Sequence, residues 1–517
     1  MRDIDAMAFL GRRKFLATGG AATLAMSLAT LATAKRARAQ SPLGELIPDP
    51  DGILDLPEGF SYQVLEAKGD EMSDGYIVPG RPDGMACFAG PDDTLILMRN
   101  HEVNVGVEDD GPYNADQSAP PEAYEPEGMG GVSRVVIDSG SYARISSNLV
   151  LIGTARNCSG GPSPWGWLSC EENVDINGAD DQYRHGYTFL CPTDAESLRP
   201  PQRIDGYGRF NHEAVAVDPS NSYAYLTEDR DDSCLYRFVP DEFAEPFVGR
   251  LQALKIVGED GFPLETMVTA EALEVEWVDI DEPDPDDDTV RDQARDKGAA
   301  VLVRGEGIAF FEGQIYICST SGGQLGAGQI FRLIDSPDAI GGEPGTLELV
   351  VTATDSTALQ SPDNLTVAPW GELFIAEDGD GDNYLRWITA DGELCTFARN
   401  AGSDSELAGV CFSPDGRALF VNVQTEGLTL VVTGPFPEGS GGGDGDGGDG
   451  DGGEDTGDDS GETGGELGET GGEPGFEGDG GCTCTTTDPP IGKSALVTGL
   501  ASVAIASLLK PDKTQAD

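Results

Sequence analysis

The stretch HEAVAVDPSNSYAYLTEDRDDSCLYRFV, from His212 to Val239, decides how the rest of the chain is read. It starts polar, runs apolar through Ala214–Val217, turns at Asp218-Pro219 and rises again through Tyr223–Thr227. It ends on Glu228-Asp229 and opens a third run at Leu235. Short β-branched and aromatic runs cut by Pro, Gly, Asp and Asn mark antiparallel strands. The pattern returns in DGMACFAGPDDTLILMRNHE (Asp83–Glu102), GEGIAFFEGQIYICSTSGG (Gly305–Gly323), DNLTVAPWGELFIAEDGDGDNYLRWIT (Asp363–Thr389) and LAGVCFSPDGRALFVNVQTEGLTLVV (Leu407–Val432). CSGGPSPWGWLSCEEN (Cys158–Asn173), followed by YTFLC, supplies a sixth copy. No long segment has a 3.6-residue apolar period. Repeated small sheets that cannot bury their faces alone pack around an axis. The expected fold is therefore all-β: a six-bladed β-propeller over residues 40–436, with insertions between blades.

The copies align without gaps from their polar start to the turn. Six residues before the turn proline stand Glu213 (Pro219), Asp363 (Pro369) and Cys158 (Pro164). Glu306 and Asp83 fall in the same place before Glu312-Gly313 and Ala89-Gly90. In a propeller this slot lies at the mouth of the central channel, so five acidic or thiol groups converge there. Unpaired, they would repel one another, and bound cations resolve the conflict. A second set, where the next strand ends, adds Glu102, Glu171, Glu172, Glu228, Asp229, Glu377, Asp378, Asn422 and Gln424. Cys158 taken alone could be a disulfide half, a small buried residue or a metal ligand. Among carboxylates its thiolate is the soft donor, which points to a transition metal beside calcium. Cys170 remains a core or disulfide cysteine. His101 and His212 each precede a glutamate and are expected to orient Glu102 and Glu213, with direct metal ligation as the alternative. The acidic run DIDEPDPDDD from Asp279 reads as a solvated loop between blades.

The 517-residue chain carries a formal charge of −60, which excludes nucleic acid as a partner. Arg12-Arg13, an apolar run to Ala34 and the small residues before Gln40 predict a twin-arginine export signal over 1–39. The product would be periplasmic, extracellular or at the cell surface, where disulfides are permitted. Eight of the ten cysteines precede the tail, without CxxC or zinc spacing. Residues 437–481 are almost wholly Gly, Asp, Glu, Ser and Thr and predict a disordered spacer. Residues 482–517 hold an apolar run, Ala495–Leu509, that suits a sorting or membrane-anchoring tail. A monomer is expected.

The motifs RNHE (Arg99–Glu102), NCSGG (Asn157–Gly161), SCEEN, RFNHEAVAVDP, YLTEDR, RGEGIAFFEGQIYICSTSGG, GQIFRL, PDNLTVAPWGELFIAEDG and GVCFSPDGRALFVNVQTEG occur collinearly. Together they resemble the PhoX-type alkaline phosphatases from about Leu46 to Phe436. The resemblance implies an exported six-bladed propeller that hydrolyses small phosphate monoesters at an iron–calcium cluster bridged by a cysteine thiolate. It implies Cys158 as that thiolate and Glu213 and Glu306 as cluster carboxylates. Glu171 or Glu172, Glu228, Asp229 and Asp363 are implied as further iron or calcium ligands. Arg304 is implied as the phosphate-binding cation, and Asn364 as a contact to substrate or its metals. The acidic spacer and tail depart from the family pattern. Two other readings fit the repeat itself: a calcium-stabilised propeller for binding or display, and a lactonase- or phytase-like hydrolase.

Overall fold

The computed structural model describes residues 42–437, apart from 115–116, 337–343 and 356. The export signal, the acidic spacer beyond 437 and the tail lie outside the described residues. Alternating apolar positions and tight turns give the strands; six of these strands line the axis. They are Pro82–Ala89, Asn157–Ser163, His212–Asp218, Gly305–Phe311, Pro362–Val367 and Leu407–Phe412. Each pairs antiparallel with the next strand of its own sheet and touches the inner strands on either side, so the ring closes from the sixth back to the first. These sheets are blades 1 to 6 in chain order. The expected blade count and its insertions stand.

Closure uses an early strand. Ser61–Ala67 pairs with Leu428–Thr433 and completes blade 6, whose other strands come last among the described residues. Leu54–Asp55 extends blade 5. Between blades 3 and 4, the insertion strand Ala272–Asp279 pairs with outer strands of both and fuses them into one nine-stranded sheet. The acidic run that follows it does lie between blades, but it is tied down. Arg209 donates to the carbonyls of Pro285 and Asp286, and Tyr187 donates to Asp284. A short helix, Val290–Asp296, follows.

Each blade interface has its own apolar cluster: Met98 with Trp167, Leu168 with Val215, Tyr225 with Ile317, Cys318 with Ile375, Phe374 with Val421, and Phe420 with Leu97. Burial in every interface, rather than in one centre, makes the ring rigid and fixes the six inner strands against each other. All eight described cysteines are free, and Cys158 is not bonded to Cys170. No helix among the described residues is long and apolar enough to cross a membrane.

Every inner strand carries a bulge near its start. Pairing skips from Pro82 to Met85, Asn157 to Gly160, His212 to Val215, Gly305 to Ile308, Pro362 to Leu365 and Ala408 to Cys411. A bulge sets two residues opposite one and re-aims their side chains. In blades 1 to 5 the first bulged residue is Asp83, Cys158, Glu213, Glu306 or Asp363, the slot counted from the turns. In blade 6 the bulge falls one residue later, at Gly409. That glycine has φ of +64°, and a Cβ on it would lie 2.1 Å from the Asp83 carbonyl oxygen. Only glycine fits such a left-handed, crowded position.

Candidate metal centre

A second repeated contact fixes the mouth. The N–H groups of Glu102, Glu172, Asp229, Thr320, Asp378 and Gln424 donate to the carbonyls of Arg81, Arg156, Asn211, Arg304, Ser361 and Glu406. Two further rings therefore surround the slot residues. One is formed by the residues just past each second strand, the other by the residues at the entry of each inner strand.

The slot residues meet as expected. Cys158, Glu172 and Glu213 can place one ligand atom each within 4.8 Å of one another, and so can Glu213, Glu306 and Asp363. Glu213 belongs to both triads. Arg304 donates from Nε and Nη2 to the two oxygens of Asp229, at 2.7 and 2.9 Å, and from Nη2 to Glu306 at 2.9 Å. Asp83 accepts from Gln424 through Oδ2, while its buried Oδ1 has no hydrogen-bond partner. Asn364 is buried beside the slot: its amide donates to Asp363 at 3.3 Å and its oxygen accepts the Gly409 N–H.

Burial pushes Asp83, Glu213, Glu306 and Asp363 well above the usual carboxylate range, and their mutual repulsion adds to it. Glu172 is pushed up to about 7 by burial, with Glu102 and Asp229 adding and Arg156 opposing. Burial raises the Cys158 thiol, and Glu213 and Glu172 raise it further. The thiol points at the carbonyls of His212 and Glu213, 3.4 and 3.5 Å away. Beneath the acids the channel of about 640 Å³ is walled by groups such as Met85, Val215, Ile308, Leu365 and Val410, which offer no hydrogen bonds. Carboxylates so crowded take up either protons or metal ions.

The structure does not bring Glu171 and Glu228 to this centre. Each ends its second strand with its side chain turned into the blade, because successive strand residues face opposite ways. Glu171 accepts from His185 at 2.6 Å and from the N–H groups of Ala155 and Gly186. Glu228 accepts from Tyr236 and Arg291. Glu377 is likewise held by Arg386 and the Gln360 N–H. It is the following residue, Glu172, Asp229 or Asp378, that faces the mouth. The histidines also differ from expectation. His101 bonds Gly80 and Ser133, and His212 bonds the Gly208 carbonyl, so neither orients its neighbouring glutamate.

His185 bridges Glu171, at the end of a blade 2 strand, and Glu125, in the segment between two strands of blade 1. Burial alone would lower its pKa, but the two carboxylates override this and hold it at about 9. Because the folded value exceeds the unfolded one, this stabilisation is complete below about pH 6.5. It is lost as pH rises through 9. His185→Ala should cost about 3–5 kcal/mol in denaturant unfolding near neutrality, since it leaves two buried carboxylates unpaired. The difference from wild type should shrink above pH 9.

Sequence reading missed Glu406. Blade 6 has Ala408 where the slot count falls, and its acid sits two residues earlier. Burial raises Glu406 well above the usual range, with Asp378, Asp363 and Glu102 adding. Arg156 was missed too. It donates to Glu102 at 2.9 and 3.1 Å and also to Glu172. Its signal was available: Arg156-Asn157-Cys158 matches Arg304-Gly305-Glu306 and Arg81-Pro82-Asp83.

The comparisons with known proteins agree with this architecture. Among solved structures, PhoX of Pseudomonas fluorescens, in complex with vanadate, a transition state analogue, is similar at 18% identity and a TM-score of 0.59. The match covers 75% of this chain and 97% of that one. A gluconolactonase of Xanthomonas campestris matches at 14% identity and a TM-score of 0.39, over 76% of this chain and 98% of its own. No curated protein matches by sequence. A family profile described as alkaline phosphatase PhoX matches residues 41–150 and 140–427, almost the whole propeller and both triads. The match spans far more than half of the chain, and this chain belongs to the PhoX alkaline phosphatase family.

Proposed function

We propose that this protein is an exported phosphatase that hydrolyses small phosphate monoesters at an iron- and calcium-loaded propeller mouth. One observation carries the reading: two buried triads share Glu213, and each is ion-paired to a partly exposed arginine. The residues fit such metals. Asp83 has an unpartnered buried oxygen, and the slot and its surrounding rings hold far more carboxylates than arginines. Iron is assigned to the triad with the soft thiolate, Cys158–Glu172–Glu213, and calcium to the all-oxygen side, where Glu306, Asp363, Asp83 and Glu406 lie. Bound metals would neutralise the phosphoryl charge and supply an activated oxygen nucleophile.

The protein's own groups do the rest. Arg304 keeps Nε and Nη2 on Asp229 and Glu306, which orients the guanidinium, and its Nη1 has no bond among the described residues. That donor is the one offered to a nonbridging phosphate oxygen, as a charge-assisted bond. The vanadate held by the Pseudomonas fluorescens protein supports the same class of ligand here.

The test is elemental analysis of the purified full chain together with turnover of a chromogenic phosphate monoester. Iron and calcium should both be present. Chelation should abolish turnover, and adding metals back should restore it. Because the ligands hold protons tightly, loading must release them, so metal retention should rise with pH. Calcium without iron, and no turnover, would leave a non-catalytic calcium propeller.

A further inference from the structure

We propose that Arg156 is a second phosphate-gripping residue, set opposite Arg304 across blade 3. This rests on the phosphatase reading above. The two arginines occupy the same backbone position, at the entry of the inner strands of blades 2 and 4. Both have left-handed backbones, with φ of 50° and 46°. Arg81 and Ser361, at the same entry position of blades 1 and 5, are left-handed as well, so the backbone sets where the side chain starts and the contacts carry the argument.

Their contacts repeat two blades apart. Each arginine binds the acid just past the second strand of the preceding blade: Arg304 binds Asp229 of blade 3, and Arg156 binds Glu102 of blade 1. Each also binds one member of a metal-competent triad, Glu306 for Arg304 and Glu172 for Arg156. Between them, Asn211 donates to Glu172 and to the Asp229 carbonyl, which links the two arginines through one continuous set of bonds. Both side chains are about one-third exposed, at 35% and 33%. Neither uses Nη1 among the described residues. An oxyanion seated over Glu213, the carboxylate common to both triads, would lie between Glu172 and Glu306, the triad members to which the two arginines are paired. A phosphate monoester has three nonbridging oxygens, so it can accept from both sides while still facing metal.

The test compares Arg156→Met, Arg156→Lys and Arg304→Met in the metal-loaded full chain. Orthophosphate binding is read by calorimetry, with competitive inhibition by orthophosphate and metal content measured in parallel. Arg156→Met should weaken orthophosphate about ten- to hundredfold, the range of one charge-assisted bond. KM should rise with it, while iron and calcium stay at wild-type levels. Arg156→Lys should recover part of the loss, because it keeps the charge but not the fork. Added guanidinium should partly rescue Arg156→Met. Unchanged orthophosphate affinity in Arg156→Met overturns the proposal, and so does a loss explained by missing metal. If wild type binds no orthophosphate and Arg304→Met changes nothing, the phosphatase reading itself fails.

Discussion

Cys158→Ala should lose iron while keeping calcium, and its turnover of a phosphate monoester should fall at least about a thousandfold, equivalent to about 4 kcal/mol of transition-state stabilisation. Cys158 is the only sulfur donor in either triad, and its companions Glu172 and Glu213 are hard oxygen donors. Without the thiolate, the site keeps its two carboxylates but loses one anionic ligand and its preference for a softer metal. The fold should survive. The side chain is small, and its contacts in the protein are a thiol aimed at backbone carbonyls, so truncation should cost no more than about 2 kcal/mol. Cys158→Ser preserves the shape and should fail in the same way, which separates donor softness from packing. The measurement is iron and calcium per chain, with turnover and a denaturation curve on the same preparation. Full iron and full turnover in Cys158→Ala would refute the assignment.

How far the sequence could be read follows from how the blades are built. The slot was legible because the distance from bulge to turn is constant in blades 1 to 5, so counting back six residues from the turn lands on Asp83, Cys158, Glu213, Glu306 and Asp363. Blade 6 shifts its bulge to Gly409, and the count falls on Ala408, leaving Glu406 unseen. A pair of adjacent acids is ambiguous in sequence. Strand alternation decides it: Glu171 and Glu228 end strands and face inward to His185 and Arg291, and Glu172 and Asp229 face the channel. Applied to the sequence, the same alternation would have separated them. The histidines misled for a related reason. His101 and His212 lie one step from the slot or mouth residues they precede, and so point to the opposite side of the strand. Nothing in the sequence marked Asn211 as the link between blades 2 and 3, since its role depends on a carboxylate of blade 2 and a backbone carbonyl of blade 3 meeting at one amide.

Glu213→Gln should give the other large effect, with opposite signs for metal binding and for stability. Glu213 is the one residue common to both triads, so an amide there removes an anionic ligand from each. Iron and calcium should both fall, unlike Cys158→Ala, and turnover should become undetectable. Yet the metal-free protein should become more stable. Glu213 is raised by burial first and then by Asp363 and Glu172, so its charge opposes folding whenever no metal offsets it. A neutral amide of the same size relieves that repulsion, and a gain of about 1–3 kcal/mol is expected near pH 8, where repulsion is greatest. The gain should vanish on acidification, as the carboxyl of the wild type takes up its proton. Metal should also stop stabilising the fold. Wild type should gain about 4 kcal/mol at metal concentrations a thousandfold above its dissociation constant, and Glu213→Gln almost nothing. Unfolding curves with and without metal at two pH values measure all of this. A Glu213→Gln protein that is less stable than wild type when both are metal-free, or that keeps its metal-induced stabilisation, would show that Glu213 serves the fold and not the metals. The strained centre would then have to be sought among Asp83, Asp363 and Glu406, on the far side of the mouth.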